Sequence, residues 1–290
     1  MNSLPHPLKI VECPRDAMQG IHHFIPTELK IAYINKLLEV GFDTLDFGSF
    51  VSPKAIPQMQ DTAEVLSALK WNSPTKLLAI VANVRGAEEA SKHQAITYLG
   101  YPFSISETFQ KRNTNATIQE SLQNLKLIRN IAESNHKKLV VYISMAFGNP
   151  YGDEWNIGYA AKWIERVMEQ NVEIMSLADT VGMAKPSDIE YLFRGVVKTF
   201  PAVEFGVHLH TTLDNWEDKL SAAYNNGCRR FDTAIRGFGG CPMASDKLTG
   251  NLATENAVKY LLGKNSDLTL DIEKLNECIL FSNRIFNDSK

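Results

Sequence analysis

His208 and His210, separated by a single leucine, are the most chemically suggestive residues of the chain. They end an apolar run, 203–210, that reads as a β-strand, and in a strand residues i and i+2 point to one face. Two imidazoles on one face can share a metal ion. The other reading is a polar pair at a barrel mouth. Asp16, on the adjacent strand once the ring closes, could supply an oxygen ligand. Two imidazoles with oxygen ligands and open water positions suit Mg²⁺, Mn²⁺ or another octahedral divalent ion, and no cluster of thiolates argues for structural zinc. A second feature is the run Gly237-Phe238-Gly239-Gly240-Cys241-Pro242. Glycines allow positive φ and close approach of a ligand. Cys241 therefore reads as a thiol on a flap over a site, or as a free cysteine in a loop.

These groups need elements to position them, and short β-branched runs alternate with amphipathic stretches along the whole chain. Strands are expected at 8–13, 44–47, 76–82, 96–103, 138–145, 173–178, 203–210 and 229–235. Helices are expected at 27–40, 58–69, 85–92, 118–134, 159–169, 186–199 and 214–226, with terminal helices at 252–262 and 271–287. The fifth strand is almost continuously apolar, as suits a parallel strand covered on both faces. Pro186 suits a first helical turn, where its missing N–H costs nothing. Eight β-α units predict one domain, residues 1–290, folded as a (β/α)8 TIM barrel with extra C-terminal helices. A doubly wound open sheet is the alternative. Against it, no G-x-G-x-x-G follows the first strand and no P-loop occurs.

In such a barrel the chemistry sits at the C-terminal ends of the strands. The unusual polar residues fall there: Arg15 and Asp16, Asp46 and Ser49, Asn83, Ser106 and Glu107, Tyr142 and Ser144, Asp179 and Thr180, the histidine pair, and Arg236. Other groups have plainer readings. Cys13 and Cys278 read as core, Cys228 has no role, and His22 and His23 read as a solvated loop pair. Lys111, Arg112 and Asn113 could meet a phosphate-bearing tail or simply face water. Asp232 reads as a barrel-interior carboxylate, and Trp163 and Trp216 as packing.

Composition bounds the partners. The chain has 290 residues, 44% apolar and 22% charged, with 30 basic against 33 acidic side chains. That balance leaves no basic field for nucleic acid or an anionic membrane surface. No apolar run approaches the ~18 residues of a membrane span. The N-terminal residues have no apolar segment of a secretory signal and little arginine. Four cysteines, Cys13, Cys228, Cys241 and Cys278, fit neither a zinc knuckle nor a disulfide scaffold, so a reducing cytoplasm is expected.

Several stretches together resemble one family closely. They are Glu12-Cys13-Pro14-Arg15-Asp16 with Gln19 behind, Ser49-Phe50-Val51-Ser52-Pro53-Lys54, Pro57-Gln58-Met59, and Ser106-Glu107. Further on come Val207-His208-Leu209-His210, Gly239-Gly240-Cys241-Pro242 and Gly250-Asn251-Leu252-Ala253-Thr254-Glu255. From about residue 8 to 260 the chain resembles 3-hydroxy-3-methylglutaryl-CoA lyase, a metal-dependent barrel of the wider aldolase-like group. The resemblance implies a divalent ion, Mg²⁺ or Mn²⁺, held by Asp16, His208, His210 and Asn251. It implies Arg15, Cys241, Asp179 and Glu255 as catalytic groups, with Tyr142 near the substrate and Gln19, Asp46 and Ser49 lining the pocket. The implied reaction is a retro-Claisen cleavage to acetyl-CoA and acetoacetate. Arg15 would stabilise the enolate oxygen. Cys241 would protonate the enolate carbon, and His208 is one candidate for the base. A homodimer is also implied.

The sequence departs from the family at Ala17 (usually Gly), Asp46 (Glu), Thr211 (Asp) and Asn149 (often Cys). The segment between Cys241 and Asn251 is also longer and bulkier than usual. The altered flap and Asp46 keep open a related lyase or aldolase acting on another 3-hydroxy acyl-CoA or hydroxy acid; a condensing synthase is a second alternative. A binding module without catalysis is disfavoured, since every presumed ligand is retained. An exposed thiol at Cys241 would also be open to redox regulation.

Overall fold

The computed structural model describes residues 7–70, 73–240, 249–264 and 267–286. The predicted alternation is what forms. β1 (Lys9–Glu12) leads into α1 (Pro14–Gln19) and α2 (Thr27–Leu38), β2 (Thr44–Ser49) into α3 (Thr62–Ser67), and β3 (Lys76–Ile80) into α4 (Val84–Ser91). β4 (Ile96–Ser104) is followed by α5 (Glu107–Thr114) and α6 (Ile118–Ser134), and β5 (Lys138–Ser144) by α7 (Ile157–Met168). β6 (Ile174–Asp179) leads into α8 (Pro186–Thr199) and β7 (Glu204–Leu209) into α9 (Trp216–Asn225). β8 (Arg230–Thr233) is followed by α10 (Thr254–Leu262) and α11 (Ile272–Phe286). The eight strands close in chain order, and β8 pairs in parallel with β1. The fold is a (β/α)8 barrel with added C-terminal helices.

Burial explains the composition of the strands. In β5 every residue after Lys138 is buried, because α6 and α7 cover its outside and the barrel interior lies within. Helix starts are set by side chains that satisfy free backbone N–H groups. Thr117 and Glu120 form a reciprocal capping box on α6, while Asn83, Ser106 and Asn156 cap α4, α5 and α7. Helix α11 packs back on α2, where Tyr33 stacks on Phe281 and meets Phe286 edge-on. Phe286 also stacks on Phe238, with ring centroids 4.2 Å apart, so the last helix braces the turn after β8.

Four expectations need correction. α1 and α5 were not expected; six or eight residues are too few to show a 3.6-residue apolar repeat. The helix expected over 58–69 is divided into a 3₁₀ turn at Pro57–Met59 and α3. The seventh strand ends at Leu209, and His210 instead bridges to Asn251. Asp16 lies in the first turn of α1 rather than on a strand.

Candidate active site

Pro14 starts α1 immediately after β1, and this tight turn aims Arg15 and Asp16 over the barrel mouth. Both are buried, at 8% and 7% exposure. Across the mouth, His208 lies in β7, one residue before its end at Leu209. One ligand atom from each of Asp16, His208 and His210 lies within 4.8 Å of the others. His208 Nε2 stands 4.0 Å from Asp16 Oδ2, and the two imidazole centroids are 5.3 Å apart.

Asn251 completes the group. Its Nδ2 donates to Asp16 Oδ2 at 2.7 Å and to the Phe238 carbonyl at 2.8 Å. Its Oδ1 is buried with no hydrogen-bond partner. An orphaned carbonyl oxygen beside a carboxylate and two imidazoles is the donor set of an octahedral divalent ion, so the residues fit the metal that the resemblance implies. Gly239 makes the approach possible: it has φ +97°, and a Cβ there would lie 2.7 Å from Asn251 Nδ2 and 2.9 Å from the Asp16 carbonyl.

The protonation states of Asp16 and His210 favour ligation. Burial disfavours the Asp16 carboxylate, but Arg15, His208 and His210 outweigh it and hold Asp16 below its ordinary value. Burial, with His208 beside it, pushes His210 down to about 3, which keeps a neutral imidazole with a lone pair to give. His208 shifts the other way. Burial works against its charge, and Asp232 and Asp16 together raise it.

Arg15 is held from three sides. Nε and Nη2 reach the Asp46 carboxylate at 2.5 to 3.2 Å, and Nη1 reaches Asp16 Oδ1 at 3.0 Å and Gln19 Oε1 at 2.9 Å. A guanidinium has five N–H donors. Nε–H, both Nη1–H and one Nη2–H are engaged, which leaves one Nη2–H for a ligand. Burial disfavours the cation, but the Asp46 and Asp16 charges hold it above its ordinary range. The shorter Asp46 thus still clamps Arg15 from β2. Gln19 also donates to Asp16 Oδ1 at 2.8 Å and lines a cleft of about 330 Å³ with Gly20, His22, Phe24 and Asn113. Gln58 shapes this cleft by bonding the Ile21 and His23 carbonyls and the Ile25 N–H.

The other predicted residues divide. Tyr142 faces the barrel interior, packs edge-on against His208, and has a buried hydroxyl without a partner. Ser49 donates to the Ile80 carbonyl at 3.2 Å and lines a second cleft of about 330 Å³ with Phe50, Asn83 and Arg85. Asp179 is engaged elsewhere. Oδ2 meets Lys219 Nζ at 2.7 Å and Oδ1 accepts from the Ala184 N–H at 2.9 Å. Lys219 also donates to the carbonyls of Gly182 and His210, so this pair fastens the backbone beneath a ligand instead of offering a free base. Glu255 lies in the first turn of α10 and accepts from the Arg236 N–H at 3.0 Å. Cys241 lies outside the described residues. Sequence reasoning passed over Lys219, whose partner is 40 positions away, and read Asp232 only as an interior carboxylate.

Departures from the family have local explanations. Asn149 closes its own loop through the Tyr151 and Asp153 N–H groups and the Asp153 carbonyl. The Thr211 hydroxyl donates to the Asn251 backbone carbonyl at 3.4 Å, and its N–H to the Gly250 carbonyl at 2.8 Å.

The comparisons with known proteins concern the whole chain. The HMGL-like family model matches residues 8–279. The chain is 32% identical over 278 residues to hydroxymethylglutaryl-CoA lyase YngG of Bacillus subtilis, covering 94% of this chain and 91% of that protein. It is 31% identical over 280 residues to the cytoplasmic 3-hydroxy-3-methylglutaryl-CoA lyase of Rattus norvegicus, covering 96% and 80%. A solved HMG-CoA lyase of Acinetobacter baumannii, in complex with coenzyme A and 3-methylmalate, superposes with a TM-score of 0.90 at 28% identity, covering 99% of this chain and 93% of that one. A mouth built from Arg15, Asp16 and the histidine pair on a barrel matched this fully has one assignment: the chain belongs to the HMGL-like family, that of the hydroxymethylglutaryl-CoA lyases.

Proposed function

We infer that this protein is a divalent-metal-dependent carbon–carbon lyase that cleaves 3-hydroxy-3-methylglutaryl-CoA to acetyl-CoA and acetoacetate. The observation that carries the reading is Arg15 abutting the ligand set, with one N–H left over and its direction fixed by Asp46. We assign Mg²⁺ or Mn²⁺ to Asp16, His208, His210 and Asn251. A divalent ion there supplies a Lewis acid for the tertiary hydroxyl and the carboxylate of the substrate.

The chain's own residues account for the rest. As the tertiary hydroxyl gives up its proton to a base and the C–C bond breaks, negative charge grows on the thioester oxygen, and the spare Nη2–H of Arg15 is the donor for it. Because Asp46 and Gln19 already hold the guanidinium, little reorganisation accompanies that step. The unpartnered hydroxyl of Tyr142 offers the substrate a hydrogen bond from within the barrel. We assign the CoA-bearing end of the substrate to the cleft beside Gln19, which adjoins the ligand set. Protonation of the enolate carbon is assigned to Cys241 on the family resemblance. Cys13, Cys228 and Cys278 are buried free thiols, which supports a reducing, cytoplasmic setting. No described helix is long and apolar enough to cross a membrane. A homodimer is proposed on the resemblance.

The test is release of acetoacetate and acetyl-CoA from HMG-CoA with Mg²⁺ or Mn²⁺ and a thiol reductant, against an EDTA control. Metal-dependent release is expected. Metal binding without release would move the substrate to another hydroxy acyl-CoA or hydroxy acid.

A further inference from the structure

Beneath the histidine pair the barrel holds a buried polar column that the lyase reading does not use. Asp232 is on β8, and the register sets it directly opposite His208 of β7. Its exposure is 2%. Oδ2 accepts from Ser176 Oγ at 2.9 Å, while Oδ1 has no partner. The Ser176 contact crosses from β6 to β8 over Gly206 of β7. That glycine leaves room for the Arg230 side chain, on which a Cβ there would press at 3.1 Å. Arg230, two residues before Asp232 on the same face of β8, is fully buried beneath it with Nε and Nη2 unpartnered.

A carboxylate buried with one hydroxyl donor costs stability unless its charge is used. Its upward neighbour shows the use. Asp232 Oδ2 lies 3.3 Å from His208 Nδ1, whereas His208 Nε2 faces Asp16. The Nδ1 contact is oblique and makes no well-directed hydrogen bond, and catalytic contacts of this kind commonly tighten only in the working complex.

We propose that Asp232 is a positioning residue for the metal site: it holds His208 in the tautomer protonated at Nδ1, leaving the Nε2 lone pair for the ion, while Ser176 holds Asp232 in place. This rests on the metal assignment made above. The carboxylate fixes both the ring's orientation and its tautomer, and makes the imidazole a more basic ligand. Outer partners of this type typically contribute about 10- to 100-fold in metal affinity.

The experiment titrates Mn²⁺ into substrate-free protein, followed by electron paramagnetic resonance. Asp232→Asn is expected to weaken binding about 10- to 100-fold. Ser176→Ala keeps the carboxylate and frees it to turn, so a weakening of about 2- to 5-fold is expected from loss of one hydrogen bond. ¹⁵N-histidine spectra of the Mg²⁺-loaded protein give a second readout, with His208 assigned by its loss in His208→Gln. Wild-type protein should carry the proton on Nδ1, and Asp232→Asn should lose that signature, which a mere change of net charge would not cause. Wild-type Mn²⁺ affinity in both variants, or a wild-type His208 protonated on Nε2, overturns the proposal. Should wild-type protein bind no Mn²⁺ or Mg²⁺, the metal assignment itself fails, and this proposal with it.

Discussion

At the N-terminal end of the barrel, Lys9 meets Glu204 at 2.6 Å and Lys76 meets Asp43 at 2.8 Å. The guanidinium of Arg230 lies between those carboxylates, 3.5 Å from Glu204 and 3.7 Å from Asp43. At the C-terminal end, Asp16, His208 and His210 turn acceptors toward one another and Asn251 leaves an oxygen unpaired. Arg15 is the cation there, and two carboxylates share it. The lower ring finds its counter-charges within the chain and so serves the fold. The upper ring is short of positive charge, and that shortage is what a divalent substrate-binding ion would fill. In a (β/α)8 barrel the two ends divide stability from chemistry, and here the division is visible in which charges are matched.

The most direct way to break this contrast is at the upper ring. Asp16→Ala should lower acetoacetate release at least about a thousandfold and reduce bound metal, measured together by turnover assay and elemental analysis. Full metal content in that variant would sink the ligand assignment. Lys219→Met tests the support beneath His210. It leaves the Asp179 carboxylate buried without its cation, so a stability loss of about 3–5 kcal/mol is expected in denaturant melts. A loss below about 1 kcal/mol would mean that Asp179 is not an ion-paired clamp. Arg15→Met should keep the metal but lower kcat about 10²- to 10³-fold, as the loss of one oxyanion donor does elsewhere. Near-normal kcat would remove Arg15 from the mechanism.

Glu12 sharpens the comparison, because it is an acid of the upper end that no cation meets. It is fully buried and accepts from the Ile235 N–H at 2.9 Å and from the hydroxyls of Thr254 and Thr233 at 2.5 and 3.3 Å. Burial pushes it up from 4.5 to about 8, against the pull of those donors. At neutral pH the folded chain therefore holds a proton that the unfolded chain has released. Its contribution is fully present below about 4.5 and is lost as pH rises to about 8, at up to about 1.4 kcal/mol per pH unit. Glu12→Gln should flatten this part of the stability profile between pH 5 and 8. An unchanged slope in thermal melts would show that Glu12 is ionised throughout.

Much of the upper ring was legible in the sequence, and the reason is periodicity. His208 and His210 share a face because strands repeat every two residues, and Asp16 follows a strand end, where barrel chemistry collects. Asn251 had no such signal and came from the family resemblance. Asp179 was legible as a strand-end carboxylate but not as an occupied one, because its partner is on α9, and a lysine in a helix ordinarily reads as solvent-facing. Arg230 was hidden likewise: at the start of a strand it reads as a solvated end, yet Gly206 on β7 opens the space that lets it lie inside the barrel. Strand positions survive such surprises because they depend on runs of apolar residues. Side-chain pairings across the barrel do not, because they depend on residues far apart in the chain.

The smallest expected effect belongs to the lower ring. Lys9 and Glu204 are only partly exposed, at 15% and 11% of their side chains, so their pair is worth more than a surface contact. Lys9→Met leaves Glu204 with Arg230 still 3.5 Å away, however, and the carboxylate is not stranded as Asp179 would be. A loss of about 1 kcal/mol in stability is expected, between surface and buried cases, with kcat and Mn²⁺ affinity unchanged. The same removal of a lysine from an aspartate or glutamate should thus differ severalfold between the two ends. If Lys9→Met instead lowered metal affinity, the lower ring would be electrostatically coupled to the site through Arg230 and Asp232, and the column between them would carry charge from one end of the barrel to the other.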